Sequence, residues 1–80
     1  MKELSDGVYE VSGRAEIENI NEKFGLGLDE DEDYETIGGL VIQNSGERPQ
    51  EGYTFESDGY SFTVIKMSAA RIELVRIQKL

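Results

Sequence analysis

In the second half of the chain, apolar and polar positions alternate. Tyr60-Ser61-Phe62-Thr63-Val64 has the period of two expected of a half-buried strand, with Tyr60, Phe62 and Val64 on one face. Ile65 and Met67 fall on the other face, so the far end of this strand is expected to be covered on both sides. Tyr53-Thr54-Phe55-Glu56 predicts a shorter strand before it, joined through Ser57-Asp58-Gly59. Asp-Gly is a strong hairpin signal, because glycine accepts a positive φ at no steric cost. Arg71-Ile72-Glu73-Leu74-Val75-Arg76-Ile77 predicts a third strand, with Ser68-Ala69-Ala70 as the turn between. Three antiparallel strands in a meander follow.

The first half has a different rhythm. Gly7-Val8-Tyr9-Glu10-Val11 reads as a short strand bounded by Gly7 and Gly13. Ile17, Ile20 and Phe24 then recur at helical spacing and share one face, while Glu16, Glu18, Asn19, Glu22 and Lys23 fall largely elsewhere. The spacing predicts a helix from about Ala15 to Phe24, closed by Gly25 in the left-handed region. Thr36 to Ser45 reads two ways. Ile37, Leu40, Val41 and Asn44 have helical spacing behind a Thr36 N-cap. Gly38 and Gly39 each cost a helix about 1 kcal/mol, and Leu40-Val41-Ile42 equally suits a buried strand. We read it as a helix, because two early glycines let another backbone approach closely. Gly46 to Gly52, around Pro49, is a loop. The expected fold is α+β, in the order β-α-α-β-β-β. It has an antiparallel sheet of about four strands with two helices on one face.

Composition narrows the function. Eighty residues suffice for one domain, and 8 Lys and Arg against 17 Asp and Glu give a net charge of −9. That balance argues against nucleic acid and against anionic lipid, both of which require a basic face. The sequence has no Cys and no His, which removes thiolate and imidazole ligands and the usual general base. No apolar run approaches the length of a membrane span, and Lys2-Glu3-Leu4-Ser5-Asp6-Gly7 lacks the apolar core of a secretory leader.

Several blocks recur in a recognisable order. Asp6-Gly7-x-Tyr9-x-Val11-x-Gly13 is followed by Ile17-x-x-Ile20-Asn21-x-x-Phe24-Gly25 and an acidic loop. Next come Tyr34-x-Thr36-Ile37-Gly38-Gly39-Leu40-Val41, Gly46-x-x-Pro49-x-x-Gly52, Phe62-x-Val64 and Arg71-Ile72-x-x-Val75-Arg76-Ile77. From Asp6 to Ile77 the chain resembles the transporter-associated domain of the CorC and HlyC family. The resemblance implies a cytoplasmic C-terminal domain of a membrane protein, such as a magnesium and cobalt efflux protein, a hemolysin-like protein or a sodium/proton antiporter. Residues 1–80 would then be one domain of a longer polypeptide. It implies a fold like a fragment of flavin-binding domains and a role in modulating ion transport. It also implies CBS domains and a membrane domain of the same parent as partners, with a second copy as a dimer partner. The family pattern supplies glycines, a proline and core positions rather than catalytic groups. Gly13, Gly38, Gly39, Pro49 and Gly52 are therefore expected to act structurally, and no cofactor is implied. Gln43-Asn44-Ser45 stands where family members often carry a longer aliphatic helix, which weakens the helix end.

The remaining candidate chemistry is acidic. Hard cations such as Mg²⁺ take several carboxylate oxygens at once, and Asp29, Asp31 and Asp33 reproduce the opening of an EF-hand loop. The template then breaks, with Tyr34 in the place of glycine and Leu40 in that of the bidentate glutamate. The competing reading is a solvated loop, in which Asp33 and Glu35 favour a helix start at Thr36 by about 0.3–1 kcal/mol each. Gly25-Leu26-Gly27 lacks the third glycine and the preceding strand of a dinucleotide loop, and Gly38-Gly39 lacks the lysine of a P-loop. The carboxylates lie on a loop rather than across a cleft, so no enzyme is expected. The aromatics Tyr9, Phe24, Tyr34, Tyr53, Phe55, Tyr60 and Phe62 are expected mostly in the core. Val75-Arg76-Ile77-Gln78 is expected at a sheet edge, able to pair with another copy. Arg71, Arg76 and Lys79 would then face the acidic loop 29–35 of a neighbour. The function read from all this is a non-catalytic regulatory domain of an ion-transport protein. The alternatives are a direct divalent-cation sensor using the acidic loop, and a free-standing adaptor.

Overall fold

The computed structural model describes residues 1–80. Five strands, β1 (Lys2–Ser5), β2 (Val8–Ser12), β3 (Thr54–Ser57), β4 (Tyr60–Ser68) and β5 (Arg71–Lys79), form one antiparallel sheet in the order β1-β2-β5-β4-β3. Two helices, α1 (Ile17–Phe24) and α2 (Ile37–Ser45), lie between β2 and β3 in the chain. The α+β class, the helix pair and the C-terminal meander are as expected from the sequence.

Two expectations are corrected. The sheet has five strands rather than four, because Lys2–Ser5 pairs with β2. Its four residues are all exposed and carry no alternation, so no apolar pattern announces them. The one local signal is Asp6-Gly7, where Gly7 takes φ 78° and the register slips between Glu3 and Ser5, a bulged hairpin turn. The last strand, in turn, is not an edge. β5 runs down the middle of the sheet, paired with β2 on one side and β4 on the other. There its Ile72, Val75 and Ile77 are buried in the middle of the core, and its backbone has no free side to offer a second copy.

One sheet face forms the core. Cross-strand neighbours Val11, Val75 and Val64 share it, as do Ile77 and Phe62, all essentially inaccessible to solvent. Against them pack Ile17 and Ile20 of α1, Ile37, Leu40 and Val41 of α2, and Leu28 from the connecting loop, in a single cluster. Phe62 is the one fully buried aromatic ring. Phe24, Tyr34, Tyr53, Phe55 and Tyr60 pack partly buried against the core cluster, and Tyr9 stacks tilted on Phe24 at 4.6 Å. Bulges at Ile65 and Glu73 break the period of two, which lets Ile72 and Val75, three apart, both face inward.

The helix ends follow from local chemistry. Gly25 and Gly46 close α1 and α2 in the left-handed region, each donating back four residues to Asn21 and Ile42. Thr36 caps α2 by accepting from the Gly39 amide at 3.0 Å, which resolves the strand-or-helix ambiguity in favour of the helix. Thr36→Ala is expected to lower stability by about 1 kcal/mol, read as a shift in the urea midpoint at constant slope. A loss under about 0.3 kcal/mol would show that the helix start is held by its tertiary bonds alone. The polar end of α2 is used rather than wasted: Asn44 Oδ1 accepts from the Tyr53 hydroxyl at 2.7 Å, tying the helix to the entrance of β3. At the opposite hairpin, Asp58 and Gly59 both take positive φ, 56° and 83°, as a two-residue turn of this kind requires.

Candidate functional site

The two helix starts meet over the end of β2. Ile17 N donates to Glu35 O, Ile37 N to Ala15 O and Gly38 N to Gly13 O, each at 2.9 Å. This junction depends on missing side chains. A Cβ on Gly38 would stand 2.7 Å from Gly13 O, and a Cβ on Gly13 would stand 2.0 Å from Ile72 O. The close backbone approach anticipated at Gly38 is thus present. The leading amides of α2 are already bonded within the fold, so this helix start is not an anion cradle.

The acidic loop borders a cleft of about 400 Å³ lined by Glu16, Glu18, Glu30, Asp31, Glu32 and Glu35. The structure does not gather Asp29, Asp31 and Asp33 into a metal site: no group of three carboxylates stands close enough to hold an ion. Asp31 Oδ1 accepts from the Asp33 amide at 2.8 Å, and the Asp29 amide donates to Asp58 Oδ2 at 3.3 Å. Tyr34, in the position where an EF-hand needs glycine, packs against the core. Partial burial pushes its hydroxyl pKa up, and the negative charges of Asp29, Asp31, Asp58 and Asp33 push it further. Tyr9 shifts the same way, from burial first and then from Glu3, Tyr60 and Asp6.

Gly25-Leu26-Gly27, weighed above as a phosphate loop, is a turning device. Both glycines take positive φ, 67° and 73°, and swing the chain back so that Leu28 enters the core. Asn21 holds this turn, accepting from Leu28 N at 2.7 Å and donating to Leu28 O at 2.8 Å and Glu30 Oε2 at 3.0 Å. Sequence reasoning placed Asn21 in a motif without giving it a task. A polar residue on the helix face followed by a double-glycine turn was the available signal.

The sheet face away from the helices is open and largely polar. Register places Glu10, Arg76, Thr63 and Thr54 in one row across β2, β5, β4 and β3. Arg76 donates to Glu10 at 2.9 Å in the molecule's only ion pair, and Thr54 and Thr63 share a hydroxyl bond at 3.0 Å. Arg76 is therefore engaged within its own sheet rather than free to meet a neighbour's acidic loop.

A second groove, of about 880 Å³, opens where α2 begins. Arg14, Gly39 and Ile42 line one side, and Ala69, Ala70 and Arg71 of the β4–β5 turn line the other. No helix in the molecule is long and apolar enough to cross a membrane.

Similarity to known proteins agrees with this architecture. The family model for the CorC_HlyC transporter associated domain matches residues 2–80. The chain is 40% identical to the magnesium and cobalt efflux protein CorC of Escherichia coli K12 over 77 residues, which is 96% of this chain and 26% of that protein. It is 34% identical to hemolysin C of Brachyspira hyodysenteriae over its whole length, or 30% of that protein. The chain thus spans between a quarter and a third of the length of these two curated relatives. Among solved structures, the transporter associated domain from a Xylella fastidiosa hemolysin, in complex with Mg²⁺ and Mn²⁺, superposes with a TM-score of 0.85 at 28% identity. That match covers 100% of this chain and 96% of the other. A hemolysin domain from Enterococcus faecalis gives 0.85 at 30% identity, covering 98% and 94%.

Proposed function

The chain belongs to the CorC/HlyC transporter-associated domain family, and on that premise we propose that it is a non-catalytic regulatory domain of an ion-transport membrane protein. It acts from the cytoplasmic side, by docking against other domains of its own polypeptide, the CBS pair and the membrane part, or against a second copy. Contact in one transport state and not another biases the equilibrium between them, and only differential contact does so.

The observation that carries this reading is one of proportion. The match fills 96% of this chain but 26% of a magnesium and cobalt efflux protein. Such a share suits a module attached to machinery found elsewhere in the polypeptide. The character of the molecule supports a docking role. Its buried side chains are all apolar, with no buried polar or charged residue. Its glycines serve turns and close contacts, as at Gly13 and Gly38. Its one cleft rich in titratable groups is lined by carboxylates with Ile17 and Tyr34, and no serine, threonine or lysine stands beside them.

A second reading is direct cation sensing by the acidic loop, favoured by the relative solved with Mg²⁺ and Mn²⁺. A Mg²⁺ titration followed by backbone amide NMR separates the two. For a docking domain, the expected shifts are weak, spread over the acidic surface and erased by high monovalent salt, as screened surface charge dictates. Saturable shifts confined to residues 29–36 and surviving high salt would establish the sensor instead.

A further inference from the structure

We propose that the groove at the start of α2 is the docking site for an acidic, aliphatic segment of the same parent polypeptide. This rests on the regulatory reading above and names the surface and the partner chemistry for it.

The groove combines three features. Its volume of about 880 Å³ makes it the largest concavity on the molecule. Its walls are small or apolar: Gly39, Ala69 and Ala70 let a visiting chain come close to backbone, and Ile42 stands 48% exposed, a large aliphatic side chain that the domain leaves uncovered. Its rim carries Arg14 and Arg71, both exposed and neither in an ion pair, since the only ion pair is Arg76 with Glu10. On a domain with a net charge of −9, two unpaired guanidiniums beside one apolar groove select an acidic partner.

The partner is a polypeptide segment rather than a small anion. The leading α2 amides, which would cradle a phosphate, are bonded to Ala15 O, Gly13 O and Thr36 Oγ1. Glu73 also lines the groove, leaving its Arg14 and Arg71 one positive charge in excess, too little to hold a compact anion by charge alone. A chain with aliphatic side chains against Ile42 and carboxylates reaching Arg14 and Arg71 uses all three features. The segment belongs to the same polypeptide for a reason of strength. Exposed charge pairs contribute little each, so a weak groove is filled when tethering supplies a high effective concentration. Two copies of the domain, each at −9, repel at long range.

The test is site-specific photo-crosslinking in the purified full-length parent protein. Ala70, exposed at the groove, is replaced by p-benzoylphenylalanine in one protein, and Gln78, exposed on β5, in another. After illumination, position 70 is expected to cross-link within the chain to a segment carrying Asp or Glu among aliphatic residues. Combining Arg14→Glu with Arg71→Glu is expected to lower that yield roughly five- to tenfold. A yield that ignores the charge reversal, or a cross-link to a second copy or to a segment without acids, overturns the proposal. If position 78 cross-links within the chain and position 70 does not, the groove is wrong while docking stands. If neither does, both fall.

Discussion

Gly13→Ala is expected to leave the domain largely unfolded or severely destabilised. Gly13 sits at the end of β2, fully enclosed, with its amide on Glu73 O at 3.2 Å and its carbonyl taking the Gly38 amide at 2.9 Å. An added Cβ would fall 2.0 Å from Ile72 O and 2.8 Å from Ile72 C. Both are backbone atoms of the central strand, so no rotamer change relieves the clash. Relief requires β2 and β5 to separate, which breaks the bond to Glu73 and disturbs the seat of α2. Overpacking of this kind costs about 3 kcal/mol or more. A chain of this length has a total of about 4–12 kcal/mol to lose. Gly25→Ala is the control: nothing lies within 4 Å of its added Cβ, and only its φ of 67° is unfavourable. Its expected cost is about 1 kcal/mol. Urea unfolding of the two variants side by side checks the difference. A Gly13→Ala midpoint equal to that of Gly25→Ala would show that the backbone contact at Ile72 is not tight.

Phe62→Ala is expected to cost about 3–5 kcal/mol. Phe62 is 0% exposed, opposite Ile77 on β5 and Phe55 on β3, and its ring stacks on Phe55 at 5.0 Å with 18° between planes. Truncation removes the only fully buried aromatic ring and leaves a cavity between β4 and the helices. Phe62→Leu keeps most of the volume and is expected to cost about 1 kcal/mol. Thermal unfolding of the pair measures this. Equal losses would mean that the site collapses around the smaller residue or that the stacking on Phe55 carries the energy.

Much of this fold was legible locally. The period of two in Tyr60–Val64, the helical spacing of Ile17, Ile20 and Phe24, and the Asp58-Gly59 turn each encode their element in a few residues. Gly38 gives the close backbone approach that the glycine pair suggests, to Gly13 lying 25 residues earlier, whereas Gly39 faces the side chains of Tyr34 and Thr36. What escaped was non-local or unpatterned. Strand order depends on pairings between distant segments, so the central place of β5 was not visible in its own residues. Lys2–Ser5 forms a strand because β2 offers it an edge, not because of anything in its side chains. On the candidate site, the alternation Asp29, Asp31, Asp33 imitates a cation loop, but Tyr34 packs against the core, the Asp31 carboxylate accepts from the Asp33 amide, and the three carboxylates do not converge. Arg76 read as a free surface charge. Its register opposite Glu10 turned it into an internal pair. The family blocks, by contrast, were fully legible, because glycine and proline positions are fixed by backbone geometry that tolerates few alternatives.

The most direct test of the central claim is ion flux through the parent transport protein, reconstituted in vesicles with and without residues 1–80. The regulatory account predicts that the shortened protein still inserts and still transports, at a rate that differs from the intact protein. Identical flux with and without the domain would contradict it.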